Sequence, residues 1–546
     1  MRLQSGRSTA YARGSVESVS NKTNTVRILV SVRNPSYVRY YDSVLRVLAA
    51  RGHEVELVSE HAGDTWPPSV LALTAACPGV RLSHVPTLRG NPWWDLATRL
   101  RQARFYLRFL DPAYRGMPAL LVRARERAPL PAIRLAEFPG VGRVGRALLA
   151  TLLDVLDQST RTAEAFHEYL RQCHPDVIVF SPLVILKTTQ LEQARAAAEL
   201  GIRNVFAVAS WDHLSSKGEL TFSPQQVIVW NEVQKRELIE LHTIDPARVV
   251  VTGSQVFDDW FDRQPSTTRD AFCARVGLPA DRPILLYVCS ALLEGSPPES
   301  PFVLRWVRQL RESAHRVLRE CSILIRPHFK RGDEWQSVDF SGLGNVACWP
   351  PSGDVPVDSR SKTDYFDSLY HAAAVVGLNT SAMIEAAIVG RPVRTVLLPE
   401  FRDNQEGTVH FHYLLDGPHA LVRATRSLEE HEREVAEVLE GRDPDPDRSA
   451  RFVRHFVRSG AHDVSATTRF VETLEALAAG PAPLPRPAPV WTRLCRPLLK
   501  PFADAAGKRI LRISDERRQR KELILAEHRR KRRTEREPAR KTQQIP

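Results

Sequence analysis

The chain has 546 residues, 43% hydrophobic and 25% charged, with 76 Lys and Arg against 63 Asp and Glu, a formal net charge of +13. That length and balance support a sizeable core in two large domains or about three or four ordinary ones, and exclude whole-chain disorder, collagen and coiled coil. The charge leaves a nucleic-acid binder, a membrane-surface protein or a folded body with a basic tail. Seven scattered cysteines make no C-x-x-C pair and no zinc spacing, the pattern of reduced thiols in a cytosolic compartment. The N-terminus (MRLQSGRSTAYARGS) lacks the apolar core of a secretory signal. No run nears the roughly 18–20 apolar residues that span a bilayer, so the expected location is cytoplasmic, with at most peripheral membrane contact.

In chain order, residues 1–25 are polar and aperiodic and are expected to be disordered. Arg27–Val32 predicts a strand, and Tyr37, Tyr40, Tyr41, Val44, Leu45 and Leu48 then recur with helical spacing up to Gly52. His53–Ser59 is a second strand, so a strand–helix–strand unit opens a parallel sheet. Residues 90–165 read as a helical insertion. The alternation resumes with strands at Asp176–Ser181, Asn204–Ser210, Gln226–Trp230 and Arg248–Thr252, and helices at Thr188–Leu200 and Glu232–His242. After a linker at Gln264, Pro265 and Ser266 it restarts. Strands are expected at Pro283–Cys289, Ser322–Arg326, Ala374–Gly377 and Val393–Leu398, with helices at Phe302–Glu320, Thr363–Ala373 and Ala382–Val389. The predicted class is therefore α/β, two Rossmann-like parallel-sheet domains facing a cleft (26–262 and 281–478), with ligands at the carboxyl ends of the strands. Residues 479–546 form a Pro-rich linker (PAPLPRPAP) and a basic tail.

Three loops that follow strands carry candidate chemistry. In GLNTSAMIEAAIVGRPV, a strand ends in Asn379-Thr380-Ser381 and a helix begins, which gives an anion site where unpaired N–H groups point outward. Glu385 lies four residues past Ser381, one too far for a capping box. It is either a surface carboxylate or a partner for ribose hydroxyls. In IRPHFKRGD, Arg326, His328, Lys330 and Arg331 would stabilise a diphosphate leaving group, or else form a solvated basic loop. In SWDHLSSKG, Asp212 or His213 is a candidate general base and Lys217 a ligand for an anionic acceptor or donor phosphate; alternatively Trp211 anchors the loop and Asp212 caps a turn.

The run Asp364–Val393 (DYFDSLYHAAAVVGLNTSAMIEAAIVGRPV) resembles the nucleotide-binding half of two-domain GT-B glycosyltransferases. RGHEVELVS is similar to their first strand–helix unit, and Val250–Phe257 (VVTGSQVF) resembles the segment closing their first domain. The likeness spans roughly residues 26–475, and the same C-terminal pattern occurs in capsule sugar transferases, CDP-glycerol glycerophosphotransferases and UDP-N-acetylglucosamine 2-epimerases. It implies that Glu385 holds the nucleotide ribose, that Thr380 and Ser381 face the diphosphate, and that Ser290 touches phosphate. Around Ser290, however, CSALLEGSP lacks the usual Gly-rich turn. The R-P-H core resembles the histidine loop of the glycerophosphotransferases and capsule transferases, which implies a role for His328 in catalysis. The resemblance implies no metal and no cofactor apart from a nucleotide-sugar donor. The expected activity is sugar transfer to a polysaccharide or lipid-linked acceptor hydroxyl. The alternatives are glycerophosphate transfer, 2-epimerisation or an inactive scaffold of the same fold.

Gly140, Gly142 and Gly145 match G-x-G-x-x-G but follow no clear strand, and His410 and His412 lack further metal ligands nearby. Asn91–Leu110 alternates Trp with Arg, either as an insertion helix packed on its domain or as one lying on an anionic membrane. Residues 508–546 hold fifteen Lys and Arg against six Asp and Glu, a net of +9, with no aromatic residue to stack bases. With +3 in residues 1–25, the folded body is left near +1, so an anionic membrane is the expected partner of the tail and nucleic acid is not.

Overall fold

The computed structural model describes residues 25–60, 63, 65–88, 90–354, 356, 358–459 and 464–508. The expected disordered N-terminus and the basic tail lie, but for Thr25 and Lys508, outside the described residues. The first sheet contains β1 (Arg27–Val32), β2 (Glu54–Ser59), β3 (Val80–His84), β4 (Val177–Ser181), β5 (Arg203–Ala207), β6 (Gln226–Val229) and β7 (Val249–Val251). Its order is β3-β2-β1-β4-β5-β6-β7, every pair parallel. The second sheet contains β8 (Ile284–Val288), β9 (Ser322–Arg326), β10 (Val346–Cys348), β11 (Ala374–Gly377), β12 (Val393–Val396) and β13 (Arg423–Thr425). Its order, β10-β9-β8-β11-β12-β13, is again all parallel and repeats the first six positions of the other sheet. Each half is thus doubly wound, with a switch point where strand order reverses, between β1 and β4 and between β8 and β11.

Helices cover both faces of these sheets, which is why β4, β8 and β9 are buried at every position and read as apolar runs without alternation. The three strands that sequence patterning missed, β3, β10 and β13, are all edge strands. They are short, five residues (VRLSH) or three (VAC, RAT), and only partly buried, because an edge buries less. At the second switch point Gly377 lets β11 close on β8: a Cβ there would sit 3.0 Å from the Val288 carbonyl oxygen and force the strands apart.

The second domain differs from its expected span of 281–478. The chain leaves it through Val453–Val457, where the Val457 carbonyl accepts from Ser254 N–H (2.9 Å) and the Phe456 carbonyl from Asn231 (2.7 Å). The helix Ala466–Ala479 then packs on the first sheet, its Phe470, Val471, Leu474 and Leu477 sharing a core with Ile28, Val30, Tyr41 and Leu45. Its amphipathic spacing predicts a buried stripe; nothing local in the sequence says which sheet that stripe covers.

The insertion forms helices Pro92–Phe109, Pro118–Arg127, Leu130–Ala136 and Arg143–Ser159 around Phe105, Tyr106, Phe109, Tyr114 and Ile133. Most of Pro92–Phe109 is buried, so this helix is a packed insertion element. Buried Arg101 ties it to Asp157 (3.1 Å) and Glu192 (2.6 Å). Gly140 and Gly142 lie between the insertion helices Leu130–Ala136 and Arg143–Ser159 and Gly145 within the second, with no strand directly before them. All seven cysteines are free thiols.

Candidate functional site

A cleft of about 660 Å³ opens between the domains at the carboxyl ends of both sheets. That volume lies in the range of small-molecule sites, roughly 300–1,000 Å³.

On the C-terminal wall, Asn379, Thr380 and Ser381 follow β11 and line the cleft, as does Glu385 one turn into the helix Ala382–Ile388. Tyr365, on the helix Ser359–Tyr370, donates its hydroxyl to Glu385 Oε2. Burial raises the Glu385 carboxyl above its ordinary range, against the Tyr365 hydrogen bond and the charge of Arg39. Arg326, at the end of β9, is 7% exposed. Its Nη1 donates to Asp364 (3.1 Å) and Ser368 (2.7 Å), and its guanidinium lies 5.0 Å from the Tyr365 ring. Asp364 also accepts from Trp349 Nε1 at 3.0 Å. Asp364, Arg326 and Tyr365 therefore form a chain that fixes Glu385, with one carboxylate oxygen taken by Tyr365. Arg326 lines the cleft, but its charge is already paired.

His328 lines the cleft next to Arg326. Burial, then Lys330 and Arg39, push it down to about 4, so the ring is neutral at pH 7. Its Nδ1 accepts from Lys330 N–H (3.3 Å), which puts the ring proton on Nε2. Lys330 is exposed at the mouth, near the Phe329 ring. Ser290 does not line the cleft. It is 1% exposed, its N–H donates to Glu299 (2.8 Å), and its hydroxyl accepts from Asn379 N–H (3.1 Å). Ser290 thus braces the β8 loop against the β11 turn, and burial pushes the Glu299 carboxyl behind it up to about 8.

On the N-terminal wall, Asp212 follows β5. It accepts from Ser210 Oγ (2.6 Å) and pairs with Lys217 (3.0 Å). Burial alone would raise it, yet Lys217, His213 and His410 hold it well below the usual carboxylate range, so it is ionised. His213 does not line the cleft. It is 4% exposed, its ring lies 6.3 Å from Tyr37, and burial lowers it to about 4. Two insertion arginines clamp this loop. Arg108 donates to the carbonyls of Leu214 (2.6 Å), Lys217 (3.0 Å) and Gly218 (2.9 Å), and Arg123 donates to that of Ser216. Guanidinium groups on the open carbonyls of a short helix (His213–Ser216) satisfy acceptors with no partner inside it. Arg39, Arg123 and Arg127 also line this wall, without a carboxylate in ion-pair range among the described residues.

The walls meet where Trp211 Nε1 donates to Ser381 Oγ (3.0 Å) and the Trp211 ring meets His410 edge-on at 4.7 Å. His410 lines the cleft, its Nδ1 lacks a partner, and burial lowers it to about 4. His412 instead bonds Asp416 (2.7 Å) and the Glu406 carbonyl. Sequence reasoning missed Tyr365, Arg39, Arg123 and Arg127. The first stands in a helix that the pattern marks only as amphipathic, and the others become site residues only through tertiary approach.

Both sheets, their repeated strand order and the cleft between them define a two-domain fold of the GT-B type. No protein-family model matches the chain, and no curated protein matches it in sequence. Solved structures similar to most of it include a glycosyltransferase from Rickettsia africae, at 10% identity over 84% of this chain and 100% of that one, TM-score 0.47. UDP-GlcNAc 2-epimerase from Neisseria meningitidis bound to UDP-GlcNAc matches at 12% identity over 82% and 99%, TM-score 0.46. The wall teichoic acid polymerase TagF matches at 9% over 83% and 88%, TM-score 0.41.

Proposed function

We propose that the protein is a glycosyltransferase that moves a sugar from a nucleotide-sugar donor to an acceptor hydroxyl in cell-surface polysaccharide or glycolipid assembly. The observation that carries this reading is the convergence, at the carboxyl ends of two doubly wound sheets, of a pre-positioned carboxylate on one wall and an ionised carboxylate among cations on the other. Glu385 binds the nucleotide ribose with the oxygen that Tyr365 leaves free. Thr380 and Ser381 face the diphosphate, with His328 Nε2–H and Lys330 donating to the departing nucleotide. Asp212 accepts the proton of the attacking hydroxyl, and Lys217 keeps it ionised until the acceptor arrives. Its low proton affinity makes it a weak base, so transfer of the proton is late, as the oxygen–sugar bond forms. Arg39, Arg123 and Arg127 favour an acceptor carrying phosphate or carboxylate. They also admit glycerophosphate transfer from CDP-glycerol, the second reading. The enzyme works at the cytoplasmic face of the membrane, helped by its basic tail, and uses no nucleic-acid partner.

A thermal-shift screen against UDP-, GDP-, CMP- and CDP-linked donors tests this. One nucleotide class stabilises the protein, and product analysis then separates sugar from glycerophosphate transfer. No shift with any class would leave a scaffold of the same fold.

A further inference from the structure

Seventeen large hydrophobic side chains stand exposed among the described residues, and thirteen of them fall in two stretches, 122–152 and 484–502. On the helix Arg143–Ser159, Val144, Leu148 and Leu152 recur every four residues and form one stripe. On the helix over 490–508, Val490, Leu494, Leu498 and Phe502 do the same, with Trp491 beside them. Leu148 is 67% exposed, and Leu494 and Leu498 are each 74% exposed.

These stripes belong to one packed unit. The other face of the 490–508 helix (Cys495, Leu499, Ala503 and Ala506) packs on Leu96, Leu100 and Leu156 of the insertion. Leu156 is one turn beyond Leu152 on the same helix. Arg496 also donates to the Ser159 carbonyl at 3.4 Å. The seam is satisfied, and the stripes are what it leaves outside.

The charges left unpaired in these stretches are mostly positive, with Glu126 the exposed carboxylate that has no ion-pair partner among the described residues. Glu137 is paired with Arg125, Asp154 with Arg104 and Asp504 with Lys500. Arg134, Arg143 and Arg493 are exposed with no carboxylate in ion-pair range among the described residues. In sequence, the 490–508 helix runs straight into the +9 segment. A second copy docked face to face would oppose like charges. An anionic bilayer offers an apolar interior to the stripes and phosphates to the arginines. No helix among the described residues is long and apolar enough to cross a membrane, so contact is in the plane of the surface.

We infer that the exposed face of the insertion and the 490–508 helix is a docking surface for an anionic lipid bilayer, separate from the basic tail. The inference does not depend on the reaction in the cleft. Through Arg108 and Arg123, the same insertion holds the Asp212 loop, so the docked unit and the acceptor wall are one packed structure.

The test is co-sedimentation of the full chain with vesicles of phosphatidylglycerol and phosphatidylcholine, and with phosphatidylcholine alone. The unaltered chain binds the anionic vesicles. Leu494→Glu/Leu498→Glu and Leu148→Glu/Leu152→Glu, with unchanged melting temperatures, each weaken that binding at least about tenfold while the tail is intact. Binding by both variants equal to that of the unaltered chain would overturn the inference, because the tail alone would then suffice. So would a chain that ignores anionic vesicles but forms a dimer that both variants dissolve, since a second copy would then cover the face.

Discussion

The two walls of the cleft are built on opposite plans. The C-terminal wall fixes its central charges on itself: Arg326 is paired with Asp364, and Tyr365 pins Glu385, leaving hydroxyls, the neutral His328 ring and one carboxylate oxygen facing the cavity, with Lys330 at its mouth. The N-terminal wall leaves more of its charges open, with Arg39, Arg123 and Arg127 around the ion pair of Asp212 and Lys217, while Asp42 pairs with Arg46 and Asp259 is the further carboxylate lining it. A wall of fixed hydrogen-bonding groups discriminates by shape and leaves the ligand's position little freedom. A wall of unpaired cations attracts by charge, at longer range and with less geometric demand. On the proposed function, the first wall would be a specific donor site and the second a tolerant, anion-seeking acceptor site.

Four changes break or sharpen that contrast. The largest effect is expected from Asp212→Asn, which removes the proposed proton acceptor. Turnover falls by about 10²–10⁴-fold, while donor-induced thermal stabilisation persists. Loss of both turnover and stabilisation would move Asp212 from the acceptor side to the donor side. Next is the double change Arg123→Gln/Arg127→Gln. The KM for an anionic acceptor rises by about tenfold and its salt dependence flattens, with the KM for donor unchanged. A change in the donor KM would erase the division between the walls. Tyr365→Phe frees Glu385 and weakens donor binding by about three- to tenfold, the worth of one hydrogen bond, measured by calorimetry. The smallest effect concerns the seam between the halves, where Tyr413 donates to Glu237 at 2.7 Å. Burial pushes the Glu237 carboxyl from its ordinary 4.5 up to about 8. The folded state therefore holds a proton that the unfolded state has released, and stability falls as pH rises through that interval. Glu237→Gln should flatten this fall in melting temperature, and an unchanged slope would contradict it.

The central strands were legible because burial on both faces makes them apolar runs, and both domain cores followed from them. The edge strands β3, β10 and β13 were not, since half-exposed three- to five-residue strands carry no distinct period. The return of Ala466–Ala479 to the first sheet was hidden because a helix's stripe does not name its partner. In the site, Asp212, Lys217, Arg326, His328, Lys330, Thr380, Ser381 and Glu385 line the cleft because residues just past strand ends gather there. Ser290 and His213 obey the same positional rule yet turn inward, one bonded to Glu299 and Asn379, the other buried beside Tyr37. Which way a loop side chain turns depends on partners distant in sequence. Arg123 and Arg127 show the converse: an insertion helix far from any strand end reaches the cleft. The Trp and Arg of residues 91–110 offered a membrane reading, but burial gives that helix to the insertion core, and Arg108 to the loop of Asp212.

The central claim is that the C-terminal wall is a nucleotide site held ready by Glu385. Its most direct test is titration calorimetry of UDP, GDP, CMP and CDP into the unaltered chain and into Glu385→Ala. One nucleotide should bind saturably to the unaltered chain and lose about ten- to a hundredfold in affinity with Glu385→Ala. Equal affinity in both proteins would contradict the account.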